Sequence, residues 1–565
     1  MLEGSQMGRK QFRALFRLFL SKMIDLELLS VDGDPIKLLG QLASLLAAVS
    51  FLLCTPLVLA SGKIQEVDLW TMEHLLLATS MLVAGLFSVL NWDSIFPDRR
   101  DLMVLGSLPL AARTIFMAKL AASAIVLTVS VLALNVFTGM LWPLYFPTAG
   151  GVLAILRSFG AYWITTLAAA VFPFLLVVTV HGLASQVLPR QHFLRLSSFI
   201  QVAALCFFLG MYILEPSLEI PGQLSAPENQ RLLAWLPSYW FLGLFHQLDG
   251  YTGPSQPIFA VLAGRAWIAL AVAVPGAVFI LLLSYFRTLR KIVEEPEISP
   301  NYQPLNWIPI RGHSLARGLL SFCLTTLLRS RIHRAILSFY LGIGFALVLS
   351  YIRVAYTLDK SSQTAVHSLV EAPPLAASIL MLCVGIGGMR IAAAIPVTLQ
   401  ANWIFRVTEI HPHKAYLSAV RHAFAVLGAF PIWFAAAVYF LTAWPLRFGI
   451  EHLLILALLG MILVEISMWG FRKIPFTCSY LPGSGNLHYL FWAFALLLLP
   501  LINAGAQMEL HLLNSFLGYS AIVAVLSLIL ALVRWRTSIA FRSVNAMQFD
   551  EVDDPAIFSL NLDRA

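Results

Sequence analysis

The sequence predicts an all-α protein that crosses a membrane many times, and three observations support this fold class. First, 59% of the 565 residues are hydrophobic and only 12% are charged. Soluble domains carry about 25% charged residues, so a water-soluble fold of this composition would expose far too much apolar surface. Second, the chain contains a series of long apolar runs. Third, Lys and Arg are distributed unevenly between the segments that connect those runs.

The apolar runs set the number of predicted membrane spans. A helix rises 1.5 Å per residue, so roughly 20 apolar residues are needed to cross about 30 Å of hydrocarbon. Twelve runs of this kind occur. The boundary between the fourth and fifth runs and the boundary between the tenth and eleventh runs are the least clear. The predicted spans are 36–60, 72–91, 114–141, 160–188, 193–214, 260–286, 335–355, 373–395, 417–443, 451–471, 487–505 and 513–533.

The distribution of basic residues predicts the topology. If the amino terminus is cytoplasmic and the spans alternate, 30 of the 37 Lys and Arg residues fall in cytoplasmic segments and seven fall outside. Membrane proteins show this bias because basic loops are retained on the cytoplasmic side. Both termini are therefore expected in the cytoplasm. The net charge of +8 reflects these loops, and no nucleic-acid partner is expected.

Two basic amphipathic segments, 11–29 and 315–334, precede the first and seventh predicted spans. Such segments favour helices that lie in the membrane interface, although an ordinary solvated helix is the alternative. Their positions suggest an internal repeat of two six-helix halves, 1–295 and 315–565, each beginning with one of these helices. The proline-rich segment 296–314 between them is expected to be a cytoplasmic linker.

Motifs for nucleotide binding and catalysis are absent from the sequence. It contains no GxxxxGK[ST], GxSxG or HExxH pattern, and the VGIGGMR stretch is typical of close helix packing rather than phosphate binding. His411 and His413 have only Glu409 nearby as a further ligand, so a polar loop is favoured over a metal site. We therefore expect no catalytic residue, no metal and no cofactor bound by this chain.

Two ionisable side chains, His181 and Glu465, fall inside predicted spans. A charge near the middle of a membrane costs about 2.5–3.5 kcal/mol on insertion scales, so such groups usually face the bundle interior or a cavity. They are interpreted either as polar contacts in a substrate path or gate, or as structural hydrogen bonds between helices, with the second favoured. Glu465 is also the carboxylate that a proton-coupled carrier would need.

The segment 96–119, FPDRRDLMVLGSLPLAARTIFMAK, combines an acidic–basic cluster, a Leu-Pro pair and two basic residues before and within the next span. It resembles the loop between the second and third helices of type-two ABC exporter permeases. The two amphipathic helices resemble that family's elbow helices, and the six-helix half resembles its unit. The second-half counterpart, ANWIFRVTEIHPHKAY, lacks the acidic–basic cluster, so the resemblance is weaker there. The matching residues are Asp98, Arg99, Arg100, Asp101, Leu108, Pro109, Arg113 and Lys119.

The resemblance implies a fused permease that supplies both halves of an ATP-driven exporter in the bacterial cytoplasmic membrane, surrounded by membrane lipid. ATP would be bound by separate cytoplasmic ABC ATPase subunits that dock on loops 93–113 and 401–416, and the transported substrate is unknown. The implied ATPase-contact residues are Asp98, Arg99, Arg100, Asp101, Arg113, Trp403, Arg406 and Glu409.

An ion-coupled secondary transporter of the major facilitator type is the main alternative. It shares twelve helices and cytoplasmic termini, but its Asp-Arg-x-Gly-Arg loop is matched only partly by the Asp98-Arg99-Arg100 run. The amphipathic helices fit that class poorly. So does the long outside segment 215–257, whose apolar LPSYWFLGLFHQL stretch suggests a re-entrant or interfacial element. A membrane-embedded enzyme and an assembly scaffold are less favoured.

Overall fold

The structure is a computed structural model, and it divides into two compact units, Met1–Asn301 and Tyr302–Ala565. Within the part of the chain that it describes, the backbone forms helices and turns and no strand. The described residues are 2–24, 35–59, 66–92, 94–96, 105, 107–108, 110–145, 151–216, 218, 221–294, 314–361, 367–395, 414–469, 475–476, 487–513 and 515–542. The predicted linker 296–314 lies almost entirely outside them.

The first unit contains eleven described helices. They are α1 (Leu2–Ile24), α2 (Pro35–Leu59), α3 (Glu66–Leu90), α4 (Ala112–Leu134), α5 (Val136–Tyr145), α6 (Val152–Val187), α7 (Arg190–Leu214), α8 (Pro221–Ser225), α9 (Gln230–Leu233), α10 (Pro237–Asp249) and α11 (Gln256–Glu294).

The second unit contains eight described α-helices and one π-helical turn. They are α12 (Ser314–Arg329), α13 (Arg331–Ser361), α14 (His367–Ala394), α15 (Lys414–Phe424), the π turn (Ala425–Ala429), α16 (Phe430–Ala443), α17 (Leu446–Ser467), α18 (Leu487–Leu513) and α19 (Phe516–Arg542).

Eight stretches of described helix are long and apolar enough to cross a membrane. The prediction of an all-α protein with several membrane spans is therefore confirmed. Each of the eight overlaps one predicted span, but Ala112–Leu134 ends seven residues before the predicted span 114–141 does, and Phe516–Ile539 ends six residues after the predicted span 513–533. The other four predicted spans, 36–60, 193–214, 335–355 and 487–505, fall largely within α2, α7, α13 and α18. The count of twelve spans stays a prediction.

One predicted span, 114–141, is interrupted at Asn135, between α4 and α5. The Asn135 side-chain amide donates to Val131 O at 3.0 Å and to Ser80 Oγ at 2.9 Å. Its Oδ1 accepts a hydrogen bond from the Tyr162 hydroxyl at 2.9 Å. Asparagine side chains compete with the backbone for hydrogen bonds, which explains why the helix is broken at this residue. Hydropathy alone does not register such a break.

The predicted outside segment 215–257 contains a helix, α10, that is buried within the first unit and packs on α3, α6 and α11. A Cβ at Gly243 would lie 2.5 Å from Leu262 Cβ, so only glycine allows α10 to approach α11 this closely. Gly250 ends α10 with φ 85°, a conformation that favours glycine. Beside it, Arg157 Nε donates to Leu248 O at 2.8 Å and fixes the end of the helix.

Four helix contacts recur at corresponding positions of the two units, whereas the extensive contact of α13 with α14 has no counterpart of similar extent between α2 and α3. In the first, α1 packs on α4, α3 on α6 and α7, and α6 on α11. In the second, α12 packs on α15, α14 on α17 and α18, and α17 on α19. Each amphipathic helix buries apolar side chains in this contact, including Phe19 and Met23 from α1 and Cys323 and Leu327 from α12.

Candidate functional site

The base of the first candidate ATPase-contact loop is held by a buried lysine. Lys119, in α4, is 1% exposed, and its Nζ donates to Phe96 O at 3.0 Å. The same ammonium lies 5.0 Å from the centre of the Phe19 ring of α1, within the range of a cation–π contact. Leu105, from the middle of the loop, is buried in the cluster that α1 forms with α4. Lys119 therefore joins the loop, the amphipathic helix and the third predicted span.

Replacing Lys119 with methionine is expected to lower the free energy of unfolding by about 1–3 kcal/mol, because the hydrogen bond to the Phe96 carbonyl is lost in a buried place. Reversible unfolding of the purified chain in mixed micelles measures this loss. Arg113→Ala, an exposed residue of the same helix, is the matched control and should stay within about 0.5 kcal/mol of the parent. Equal losses for the two variants would contradict the proposed role of Lys119.

His181, predicted as an intramembrane polar residue, lies beside the same loop base. Its ring centre is 4.7 Å from that of Trp92, 4.0 Å from that of Phe96 and 5.2 Å from that of Phe193. Trp92 is itself fixed, because its indole N–H donates to Ser197 Oγ at 3.0 Å. The aromatic box around His181 therefore connects α6 and α7 to the start of the candidate loop.

The structure describes one of the eight predicted ATPase-contact residues. Arg113 is exposed in the first turn of α4, where it is accessible to a partner. The others, Asp98, Arg99, Arg100, Asp101, Trp403, Arg406 and Glu409, lie outside the described residues.

In the second half, a buried histidine contacts the end of the helix that precedes the candidate loop. The His333 ring is fully buried, and its Nε2 lies 2.8 Å from Ile395 O, just after α14 ends. Its Nδ1 lies 2.6 Å from Ser330 Oγ, between α12 and α13. The backbone N–H of Phe476 donates to Ala393 O at 2.9 Å, and the Phe476 ring packs edge-on against His333. In both halves, a buried basic side chain thus contacts a backbone carbonyl, that of Phe96 within loop 93–113 and that of Ile395 six residues before loop 401–416.

Glu465, the second predicted intramembrane residue, forms an ion pair between α17 and α15. Arg421 Nη2 donates to Glu465 Oε2 at 2.9 Å. Arg421 Nε lies 2.6 Å from Oε1, a charge contact without the alignment of a hydrogen bond. Arg534 Nε, from α19, lies 3.7 Å from the same Oε1. Glu465 therefore connects three helices, as a structural role requires, and it also lines a cavity.

A second buried pair in this half has no signal in the sequence beyond a histidine and a glutamate in apolar runs. His452 is fully buried, and its Nδ1 lies 2.7 Å from Glu509 Oε1. Its Nε2 lies 2.9 Å from Ser378 Oγ. The Ser378 hydroxyl also donates to Leu375 O, one turn earlier in α14. These contacts connect α14, α17 and α18.

The first half carries two comparable pairs around α10. His246 Nε2 lies 2.9 Å from Glu73 Oε2, and His74 Nε2 lies 3.4 Å from Glu215 Oε1. Glu215 also accepts a hydrogen bond from Ser238. All of these side chains are at most 10% exposed, so histidine–carboxylate contacts hold α10 against α3. Sequence analysis singled out none of them.

The described residues include no cluster of three or more His, Cys, Asp or Glu side chains that could hold a metal ion. Among the free cysteines, Cys323 lies in α12, outside the predicted spans. Burial raises the pKa of this thiol to about 12, which keeps it protonated and a poor nucleophile at neutral pH.

The fold and these contacts define an all-α membrane protein in which several buried carboxylates contact an Arg or His side chain of another helix. Neither a protein-family model, nor a curated protein, nor a solved structure matches this chain.

Proposed function

We propose that this chain is the membrane-spanning permease subunit of an ATP-driven exporter. It lies in the bacterial cytoplasmic membrane with twelve spans and both termini in the cytoplasm, and α1 and α12 are its elbow helices. The two halves supply the translocation path. Separate ABC ATPase subunits dock on loops 93–113 and 401–416 and hydrolyse ATP, for which this chain has no motif.

The main support for this proposal is the set of contacts at the base of the first loop. The segment 96–119 has the sequence pattern of an exporter's ATPase-contact loop. Its terminal Lys119 contacts both Phe96 O and the Phe19 ring of α1. A loop that transmits movement from an ATPase to the membrane helices needs such a rigid connection at its base. The charged residues in its middle suit a polar, transient interface.

Co-purification tests the proposal. The tagged chain, extracted in mild detergent, should bring down an ABC ATPase in stoichiometric amount. A triple variant should reduce that amount at least tenfold, because it removes the charged side chains expected to form the docking contact. Its substitutions are Arg99→Ala, Arg100→Ala and Asp101→Ala. Charge-neutralising changes at Lys63 and Arg231, which lie in predicted outside segments, form the matched control and should leave the yield unchanged. An unaltered yield in the loop variant would contradict the assigned contact.

The two loops differ, so unequal coupling is expected. Loop 401–416 lacks the acidic–basic cluster of loop 93–113. Changing Trp403, Arg406 and Glu409 to alanine should therefore reduce stimulation of the partner's ATPase activity less than the first-loop variant does. Equal losses from the two loops would overturn this expectation.

An ion-coupled secondary transporter is the second candidate, and the buried pairs favour it. Chains of Glu and His inside membranes serve as proton relays in pumps and transporters, and both halves contain His–Glu contacts. For such a carrier, Glu465→Gln should abolish transport, a proton gradient should drive transport, and no ATPase should co-purify. ATP-dependent transport that persists in Glu465→Gln would exclude this candidate.

A further inference from the structure

A cavity of about 320 Å³ lies within the second unit, between the α15–α16 segment, α17 and α19. This volume is at the lower end of the range for small-molecule sites, which are mostly apolar with a few polar groups. Its walls are mainly apolar and include Leu382, Ala425, Trp433, Leu456, Met461 and Leu530. Three charged side chains, Arg421, Glu465 and Arg534, line it as well.

The charged side chains carry an excess of positive charge. One carboxylate, that of Glu465, is shared by the guanidinium groups of Arg421 and Arg534. A guanidinium has five N–H donors. The approach of Arg534 to Glu465, from Nε to Oε1, is 3.7 Å, which is longer than a hydrogen bond. The Arg534 side chain is 58% exposed, so its other donors are accessible to an anion. The site therefore favours a negatively charged group over a cation or a neutral one.

The lining residues of this cavity, which we call the slot, extend along more than three turns of helix. Arg421 and Trp433 are twelve positions apart along one nearly continuous helix, which corresponds to about 18 Å. The π-helical turn between them contributes Ala425 and Ala429 to the wall, and turns of this kind occur frequently at functional sites. Trp433 is fixed at the far end because its indole N–H donates to Leu453 O at 2.9 Å.

We propose that this slot binds an anionic amphiphile, with its phosphate or carboxylate on Arg421 and Arg534 and its apolar chain running towards Trp433. Basic pockets between membrane helices on the cytoplasmic side bind anionic lipid head groups in this manner. The charge distribution of the sequence places Arg421 and Arg534 on that side. The inference does not depend on ATPase docking. The ligand comes either from the surrounding bilayer or from the transported material, and the two sources share this chemistry.

The test uses the purified full-length chain and an equimolar mixture of phosphatidylglycerol and phosphatidylcholine, with bound lipid counted by native mass spectrometry. The parent chain should retain more phosphatidylglycerol than phosphatidylcholine. Arg534→Gln should weaken that retention about fivefold, the value expected for one basic side chain at an anionic head group. Arg536→Gln is the matched control, because Arg536 lies two residues further along the same helix and stacks on Trp469 instead.

A second variant fills the slot. A Cβ at Gly460 would lie 3.5 Å from Leu382 and 3.6 Å from Ala429, which are ordinary contacts. The Cβ of a leucine at position 460 should therefore be accommodated, and the rest of its side chain should occupy the slot. Gly460→Leu should then abolish retention of phosphatidylglycerol. Gly387→Leu is its control, since a Cβ at Gly387 meets nothing within 4 Å.

The lipid that accompanies the chain from its native membrane distinguishes the two sources. A phospholipid bound to the parent chain and lost from Arg534→Gln indicates the bilayer. A different anionic amphiphile with the same dependence indicates transported material. Equal retention of the two probe lipids by the parent chain, or retention that neither Arg534→Gln nor Gly460→Leu reduces, would overturn the proposal.

Discussion

Replacing Glu465 with alanine is expected to lower the free energy of unfolding by about 3–5 kcal/mol, the range for removal of one partner from a buried ion pair. The Glu465 side chain is 5% exposed and that of Arg421 is 16% exposed. Without the carboxylate, the Arg421 guanidinium stays between helices with no opposite charge, and its repulsion from Arg534 is no longer offset. Reversible unfolding in mixed micelles measures the loss.

Arg447 provides the matched control for Glu465. It forms an ion pair with Glu451 one turn further along α17, but its side chain is 60% exposed. Exposed pairs contribute about 0–1 kcal/mol, so Arg447→Ala should change stability little. Adding Arg421→Leu to Glu465→Ala should recover most of the lost stability, because no buried charge then lacks a partner. Similar small losses for Glu465→Ala and Arg447→Ala would refute the structural role of Glu465.

The second large effect is expected at Glu509. Glu509→Ala should also lower the free energy of unfolding, by about 1–3 kcal/mol, because a buried ring nitrogen of His452 would lose its hydrogen-bonding partner. Its Oε1 lies 2.7 Å from Nδ1 of His452, whose ring is fully buried and has no access to water as a substitute. Glu509→Gln keeps a hydrogen-bonding group of the same size, so it should lose less. Unfolding in mixed micelles again provides the measurement.

Ser378→Ala compares the His452–Glu509 contact with a hydrogen bond to a hydroxyl on the same ring. Its Oγ lies 2.9 Å from His452 Nε2. Hydrogen bonds between membrane helices contribute about 0.6 kcal/mol on average, so the loss should be several times smaller than for Glu509→Ala. If the two variants lost the same stability, the His452–Glu509 contact would contribute no more than an ordinary hydrogen bond between helices.

Hydropathy predicted most of the helices because burial in hydrocarbon leaves a signal in every residue of a span. The predicted span 373–395 lies in α14 (His367–Ala394), and 417–443 covers most of the segment from α15 to α16. Interruptions were not predicted. The break at Asn135 depends on side-chain hydrogen bonds to Ser80 and Tyr162, which come from other helices.

The partners of the intramembrane ionisable side chains could not be predicted from the sequence either. Glu465 was recognised as unusual, but Arg421 lies 44 residues earlier in a different helix. His452 and Glu509 are 57 residues apart. Neither separation produces a periodic pattern, because these contacts arise from the packing of whole helices. Lys119 was identified through its position in a motif, and its burial against Phe19 became apparent only in the structure.

Site-specific photo-cross-linking in cells tests the exporter assignment most directly. A benzoylphenylalanine placed at position 100 or 113, in the first candidate loop, should cross-link to an ABC ATPase subunit. The same group at position 536, which is exposed and on the same predicted side of the membrane, should give no such product. Nor should position 231, which is exposed in the predicted outside segment. An ATPase cross-linked from the loop alone is the result that the account predicts. No ATPase product from positions 100 and 113, or equal products from all four positions, would contradict it.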